Sequence, residues 1–582
     1  MIQSLIMSDR RAPRVGAAPR RSARPASGRA TAGSRWAREP LFVALLVAAH
    51  VLLAGWGAVR QSVTFDENFH LPSGILIASR GELRASAVNP PLVKALAGWA
   101  ALAAGARIPG SLGSGEQSAV GIAFMLANAD RYHRIFVAGR LVIVLLSGLL
   151  ALAVWRWARR LWGARGALVA LGFYAFAPEA LAHAGVVTMD VPTALGFVAA
   201  LMSWQAFVIG GRWRSWTAAA LSLAYTFLVR FTAVFLPPLL LALTLEPFLR
   251  RRVRAPRRVW LGYALLAVTT VAALQIGYLG RTSWQPLGRW RFESHAFQSL
   301  ARRAPGLVLP LPDTYISGFD RQAVESEPHA TPSYLMGVLH ADAPLAYFPV
   351  ALAVKWPVGF LAALALLALY GLRRRPRLSH ALWPSALVVL FLWIAMFVGR
   401  LGIGIRYVFP IVPALAVLLG ALASARRGDA AWWRRAAVAL VAVQAIEACA
   451  HAPWHMSFYN LLAGGPERGQ WIVNDSNVDW GQGLIALREE LARRGIRRVH
   501  LAYHGTVEPS LYGIDYVPYL GGAPGPESDW IAISSYYFVG LSQRMMLHEG
   551  RTKDAMRLDF TPLWKRRPEA MPAGCMLLYR LR

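Results

Sequence analysis

LFVALLVAAHVLLAGWGAVRQSVTFDENFH, residues 41–70, carries the two signals on which the fold turns. Its first part, 41–59, is apolar and free of carboxylates, arginine and lysine. At about 1.5 Å per residue such a run nearly matches the roughly 30 Å hydrocarbon thickness of a bilayer. No small-residue cleavage site follows it, so it reads as an uncleaved anchor. The acidic pair Asp66-Glu67 comes just after it, with His70 close behind. Carboxylates are scarce here, and a pair at the end of a span points to chemistry at a membrane surface.

The composition around this stretch agrees. The 582 residues are 56% hydrophobic, with mean hydropathy +0.39, too apolar for an ordinary soluble domain. Net charge is +31 and the pI is near 11.2. In a soluble chain that balance would suggest nucleic acid. Here the arginines cluster in short connectors between apolar runs, so membrane lipids with anionic headgroups are the expected partners and nucleic acid is not. Lysine occurs only at Lys94, Lys355, Lys553 and Lys565, a bias of composition and not of chemistry. Two cysteines, Cys449 and Cys575, exclude a disulfide framework and a cysteine metal cluster; they read as two unrelated buried thiols, the alternative being one bridge between them.

Eleven apolar segments are expected to span, near 41–59, 136–155, 165–184, 191–209, 217–230, 231–247, 259–279, 346–371, 381–399, 407–424 and 436–453. Residues 1–40, rich in Arg, Ala, Pro, Ser and Gly, read as a disordered basic cytoplasmic tail. With that tail inside, the Arg-rich connectors at 156–165, 212–214, 250–258, 373–377 and 426–435 all fall on the cytoplasmic side. The agreement requires 217–247 to be a short hairpin with its tip near Arg230-Phe231. A membrane domain over 41–453 then presents outer loops 60–135 and 280–345. Residues 90–105 suit a helix lying in the interface, and 344–356 lead into the eighth span. The loop 280–345 is long enough to be functional or mobile.

After residue 453 the pattern changes. Strands are expected at 471–475, 497–505, 529–535 and 574–582, and an amphipathic helix at 483–495. The fold class is thus a polytopic α-helical membrane protein with a small extracytoplasmic α/β domain over 454–582.

Several residues invite two readings. Asp66 and Glu67 either open a helix as N-terminal acids or supply a base or cation ligand. Asp190, before Pro192, is either a helix start or a second acid at the same face. Arg230 and Arg406 either snorkel or meet a lipid phosphate; Lys94 and Lys355 are weaker candidates of the same kind. Asp479, in DSNVDWGQG (475–483), most simply caps the following helix. His329, His340, His451 and His455 lack metal-ligand spacing, and the glycines at 464–465 and 481–483 form no phosphate-cradling fingerprint.

Taken in order, these pieces resemble the GT-C membrane glycosyltransferases, specifically the protein-mannosyltransferase-like family 39 and its bacterial relatives. The carrying motifs are Asp66-Glu67 with His70 and NPPL at 89–92, Asp190 with Pro192, Arg230, and Arg406-Tyr407. FPVALAVKWP (348–357) and YNLLAGGPERG (459–469) with DSNVDWGQG look like a bacterial subgroup. The resemblance implies an inverting transfer of a sugar from a polyprenyl-phosphate donor to a protein, lipid or glycan hydroxyl at the outer face of a bacterial inner membrane. It implies catalytic roles for Asp66, Glu67 and Asp190. It places His70, Lys94, Arg230, Lys355, Arg406 and Tyr407 with the substrate or its phosphate. It leaves open a divalent metal on Asp66 and Asp190. Arg230 stands where many relatives have lysine. The alternatives are a transporter or flippase of lipid-linked sugars, or a non-catalytic scaffold. Ionisable residues at span ends, and no visible repeat of halves, favour the enzyme.

Overall fold

The computed structural model describes residues 38–86, 88–110, 117–253, 255–328, 332–374, 378–399, 401–424, 430–522, 524–548, 550 and 558–581. The expected tail (up to residue 37), His329 and Lys553 lie outside them. The chain from Val43 to Arg582 forms one compact unit.

All eleven expected spans fall on helix. α1 (Glu39–Arg60) is the first. The loop beyond it is itself helical: α2 (Glu67–Arg80), α3 (Leu92–Ala103) and α4 (Gln117–Ala127). Gly81, with φ 62°, ends α2 by turning its N–H back onto the carbonyls of Ile77 and Leu76. The second and third spans fall within α5 (Tyr132–Ala175), two helical halves parted at Gly163, whose φ of 77° and ψ of −177° are open to glycine alone. The chain folds back there, bringing the Ser147 and Tyr174 hydroxyls to 3.1 Å of each other, so the Arg-rich connector expected at 156–165 is the stretch around this turn. α6 (Pro178–Ala184) starts on a proline and leads to α7 (Asp190–Gly210). The expected hairpin is present. α8 (Trp213–Phe227) ends just before Arg230, and a 3-10 turn, Phe231–Phe235, opens α9 (Leu236–Leu249). α10 (Pro256–Gly277) closes this group.

The second long loop holds α11 (His295–Arg303), α12 (Asp313–Glu325) and a hairpin of β1 (Ser333–Leu335) with β2 (Val338–His340). α13 (Tyr347–Lys355) and α14 (Val358–Arg374) meet at a bend of 115° beside Pro357, which cannot donate a helical hydrogen bond. α15 (Leu378–Trp393), α16 (Ile411–Leu419) and α17 (Ala430–His451) complete the helical part. Among the described residues six helices are long and apolar enough to cross a membrane, or seven if the bent pair counts as one span, fewer than the eleven expected.

Beyond α17 come α18 (Gly465–Gly469), α19 (Leu484–Arg493) and a four-stranded sheet of β3 (Arg498–Ala502), β4 (Asp515–Pro518), β5 (Trp530–Ser534) and β6 (Met576–Arg580). The order is β4-β3-β5-β6, with β3 parallel to both neighbours and β6 antiparallel to β5. β3, β5 and β6 are buried along almost their whole length, which explains their unbroken apolar runs. The strand expected at 471–475 is only a single bridge, Val473 to Leu335. The sheet does not stand apart. One apolar core runs from the long helices into α19 and β3 through Leu484, Leu487 and Val499.

Candidate active site

Asp66 immediately precedes α2, yet its side chain caps nothing. Its Oδ2 instead accepts from Arg406 Nη1 at 2.7 Å. Asp190, the first residue of α7, accepts from Arg230 Nη1 on Oδ1 at 2.6 Å. Its Oδ2 is buried with no protein partner. The Tyr407 ring lies near both arginines, with guanidinium carbons 5.7 Å (Arg230) and 5.1 Å (Arg406) from its centre. Arg406 Nε is buried and also has no partner. Burial disfavours the Arg406 charge, but Tyr407, Asp66 and Asp190 outweigh it and hold the guanidinium firmly protonated.

Both pairs open onto one cavity of about 370 Å³. Asp66, His70, Asp190, Arg230, Arg406 and Tyr407 line it, with Asn89 on one side and Gln322 and Glu325 of α12 on another. His70 is held neutral there: burial lowers its pKa to about 4, and its Nδ1 is unpartnered. Asp190, Arg230, Arg406, Tyr407, Gln322 and Leu401 are shared with a larger cavity of about 770 Å³. That one is walled by Phe231, Phe235, Phe319, Phe391, Ile394, Ala395 and Val398. A charged pocket thus continues into an apolar one, and the two arginines stand at the join.

Three of the expected residues are elsewhere. Glu67 is fully buried away from the cavity lining. Arg140 grips both its oxygens, Nε at 2.8 Å and Nη2 at 2.6 Å, and the backbone N–H groups of Thr64 and Val187 donate to it as well. Burial alone would raise its pKa; Arg140 reverses that and holds it ionised. It ties α2 to α5. Lys94 is buried on α3, where its Nζ donates to the Val88 carbonyl at 3.0 Å, and burial lowers its pKa to about 7. Lys355 ends α13, donates to the carbonyls of Met456 (2.9 Å) and Asn477 (2.5 Å), and faces the Tyr459 ring. Asp479 does not cap α19. It accepts from the N–H groups of Gly481 and Tyr536. Both cysteines are free; Cys575 is buried, whereas Cys449 is exposed.

Two features escaped sequence reading. Glu325 and Gln322 enter the cavity from α12, and the length of loop 280–345 was the only signal for them. Trp480 lies against Arg406, its ring centre 4.1 Å from the guanidinium carbon. Asp66 and Asp190 each have an arginine on one oxygen, and among the described residues no group of three His, Cys, Asp or Glu forms a metal site.

No curated protein matches the chain. Among solved structures it is similar to ArnT from Cupriavidus metallidurans bound to undecaprenyl phosphate (17% identity, 80% of this chain and 74% of that one, TM-score 0.44). It is also similar to the Archaeoglobus fulgidus oligosaccharyltransferase in the apo form (13%, 86% and 71%, TM-score 0.47). These are distant likenesses. A family model, dolichyl-phosphate-mannose-protein mannosyltransferase, matches residues 132–275, the stretch from α5 through most of α10 that carries Asp190 and Arg230. Over that stretch the chain is similar to the dolichyl-phosphate-mannose-protein mannosyltransferases.

Proposed function

We propose that the chain moves a hexosyl or pentosyl unit, with inversion, from a polyprenyl-phosphate carrier to an acceptor hydroxyl at the outer face of a bacterial inner membrane. The observation that carries this is the join of the two cavities. An apolar space of about 770 Å³ suits an isoprenoid tail, and it meets the charged pocket at Arg230 and Arg406. A phosphate there finds two guanidiniums and the unpartnered Arg406 Nε. The acceptor oxygen attacks the anomeric carbon, and the bond from that carbon to the phosphate oxygen breaks. The phosphate leaves as an anion stabilised by the arginines. Asp66 takes the acceptor proton. As the phosphate draws Arg406, the Asp66 carboxylate is released to act as base. Asp190 aims Arg230, and neutral His70 offers a hydrogen bond to a sugar or acceptor hydroxyl. Glu67, Lys94 and Lys355 support the site without touching substrate. Carrier and acceptor are read by analogy with the similar ArnT structure bound to undecaprenyl phosphate and the similar archaeal oligosaccharyltransferase bound to an inhibitory peptide and a dolichol phosphate.

The test is sugar release from a labelled polyprenyl-phosphate donor by membranes carrying Asp66→Asn. Transfer is expected to fall by at least ~10²-fold with insertion unchanged. Undiminished transfer rules out Asp66 as base. Movement of intact labelled lipid between leaflets without cleavage would instead identify a flippase.

A further inference from the structure

Trp480 belongs to the segment that follows the helical part, and it touches Arg406 and the backbone beside Asp66. Its side chain is 3% exposed and lies 4.1 Å from the Arg406 guanidinium carbon. Its carbonyl accepts the N–H of Phe65 at 2.9 Å, one residue before Asp66. The neighbouring residues repeat the pattern. Asn477 Oδ1 accepts from Ile405 N–H at 3.0 Å, one residue before Arg406, and Ser62 N–H donates to the Gln482 carbonyl at 3.0 Å.

The geometry suits a seat for a working arginine. A carboxylate or carbonyl would occupy the N–H groups that an anion needs. An aromatic face holds the cation through the ring quadrupole and leaves every in-plane donor available. Arg406 keeps Nη1 on Asp66 and a longer contact from Nη2 to the Tyr407 hydroxyl at 3.4 Å, with its Nε buried and unpartnered.

We propose that Trp480 is a positioning residue of the transfer site, seating the Arg406 guanidinium on its indole while its carbonyl anchors the chain beside Asp66. This rests on the reading above, in which Arg406 meets the donor phosphate. Residues beyond the helical part therefore set the geometry of the reaction centre.

The test uses the purified full-length chain and farnesyl phosphate as a short polyprenyl monophosphate, with binding followed by calorimetry. Trp480→Leu is expected to weaken binding roughly tenfold and Trp480→Phe by less, following the strength of the aromatic face. On an Arg406→Ala background neither substitution should weaken binding further, because the ring acts through the arginine. The donor KM should rise in the same order. Wild-type affinity in Trp480→Leu, or losses that add to that of Arg406→Ala, overturns the proposal. If Trp480→Leu does not fold, the Trp480→Phe and Arg406→Ala cycle decides it by the same criterion. Wild-type protein that binds no farnesyl phosphate takes down the donor reading and this proposal together; a wild type that binds beside an indifferent Trp480 overturns this proposal alone.

Discussion

Asp66 and Glu67 are adjacent carboxylates with opposite fates. Consecutive residues at a helix start point about 100° apart, so one faces the cavity and the other faces α5. Glu67 pairs with Arg140, both fully buried, a geometry in which loss of either partner would strand a charge. Asp66 is about a quarter exposed and has Arg406, so it stays accessible to a substrate proton. Asp475 shows a different balance. Burial pushes its carboxyl up from the ordinary 3.8 to about 7, and the nearby Asp66 adds to this, while the Ser476 N–H and Arg406 pull it back. The neutral acid is thus favoured in the folded chain. Between about pH 4 and about pH 7 the folded chain keeps a proton that the unfolded chain has released, and stability falls as pH rises through that window. Asp475→Asn should flatten the fall, as read from thermal unfolding of the detergent-solubilised protein at stepped pH; an unchanged slope would remove Asp475 as its source.

At the scale of elements, the site depends on how α2 is held. α2 and α3 cross with backbones in contact: a Cβ at Gly74 would lie 2.1 Å from the Lys94 carbonyl oxygen, and one at Gly98 would lie 2.3 Å from that of Gly74. No side chain fits between them, so Gly74→Ala must push the helices apart. It should cost about 1–3 kcal/mol of stability and lower transfer several-fold, because α2 begins at the residue after Asp66. Gly55→Ala on α1, where nothing lies within 4 Å, is the control. Equal unfolding temperatures for the two variants would refute the tight crossing. The α8–α9 hairpin works on the same principle. Its tip is short, which delivers Arg230 to Asp190 across 40 residues of sequence.

At the scale of the whole molecule, the Arg-rich connectors argue for a cytoplasmic N-terminus and an outer location for everything after residue 453. Leu520 is well exposed near the sheet, and Arg212 is exposed in the α7–α8 connector. In a Cys449→Ser background, Leu520→Cys should react with a membrane-impermeant maleimide in intact spheroplasts. Arg212→Cys should react only after permeabilisation. The reverse pattern would invert the topology and place the transfer site on the inner face.

The helical class, the apolar segments, the hairpin at Arg230 and three of the four sheet strands were legible in residues 41–582, because hydrophobic period and charge asymmetry are written locally and read locally. So were the two acids and two arginines, as odd charges beside apolar runs. Their pairing was not. Asp66 and Arg406 are 340 positions apart, and no local pattern records which guanidinium meets which carboxylate. Nor did the chain announce that Glu67 would be buried against Arg140, that α12 would bring Glu325 into the cavity, or that Trp480 would lie on Arg406. Those outcomes come from packing, in which a buried charge or polar group settles against whichever partner the folded helices bring within reach.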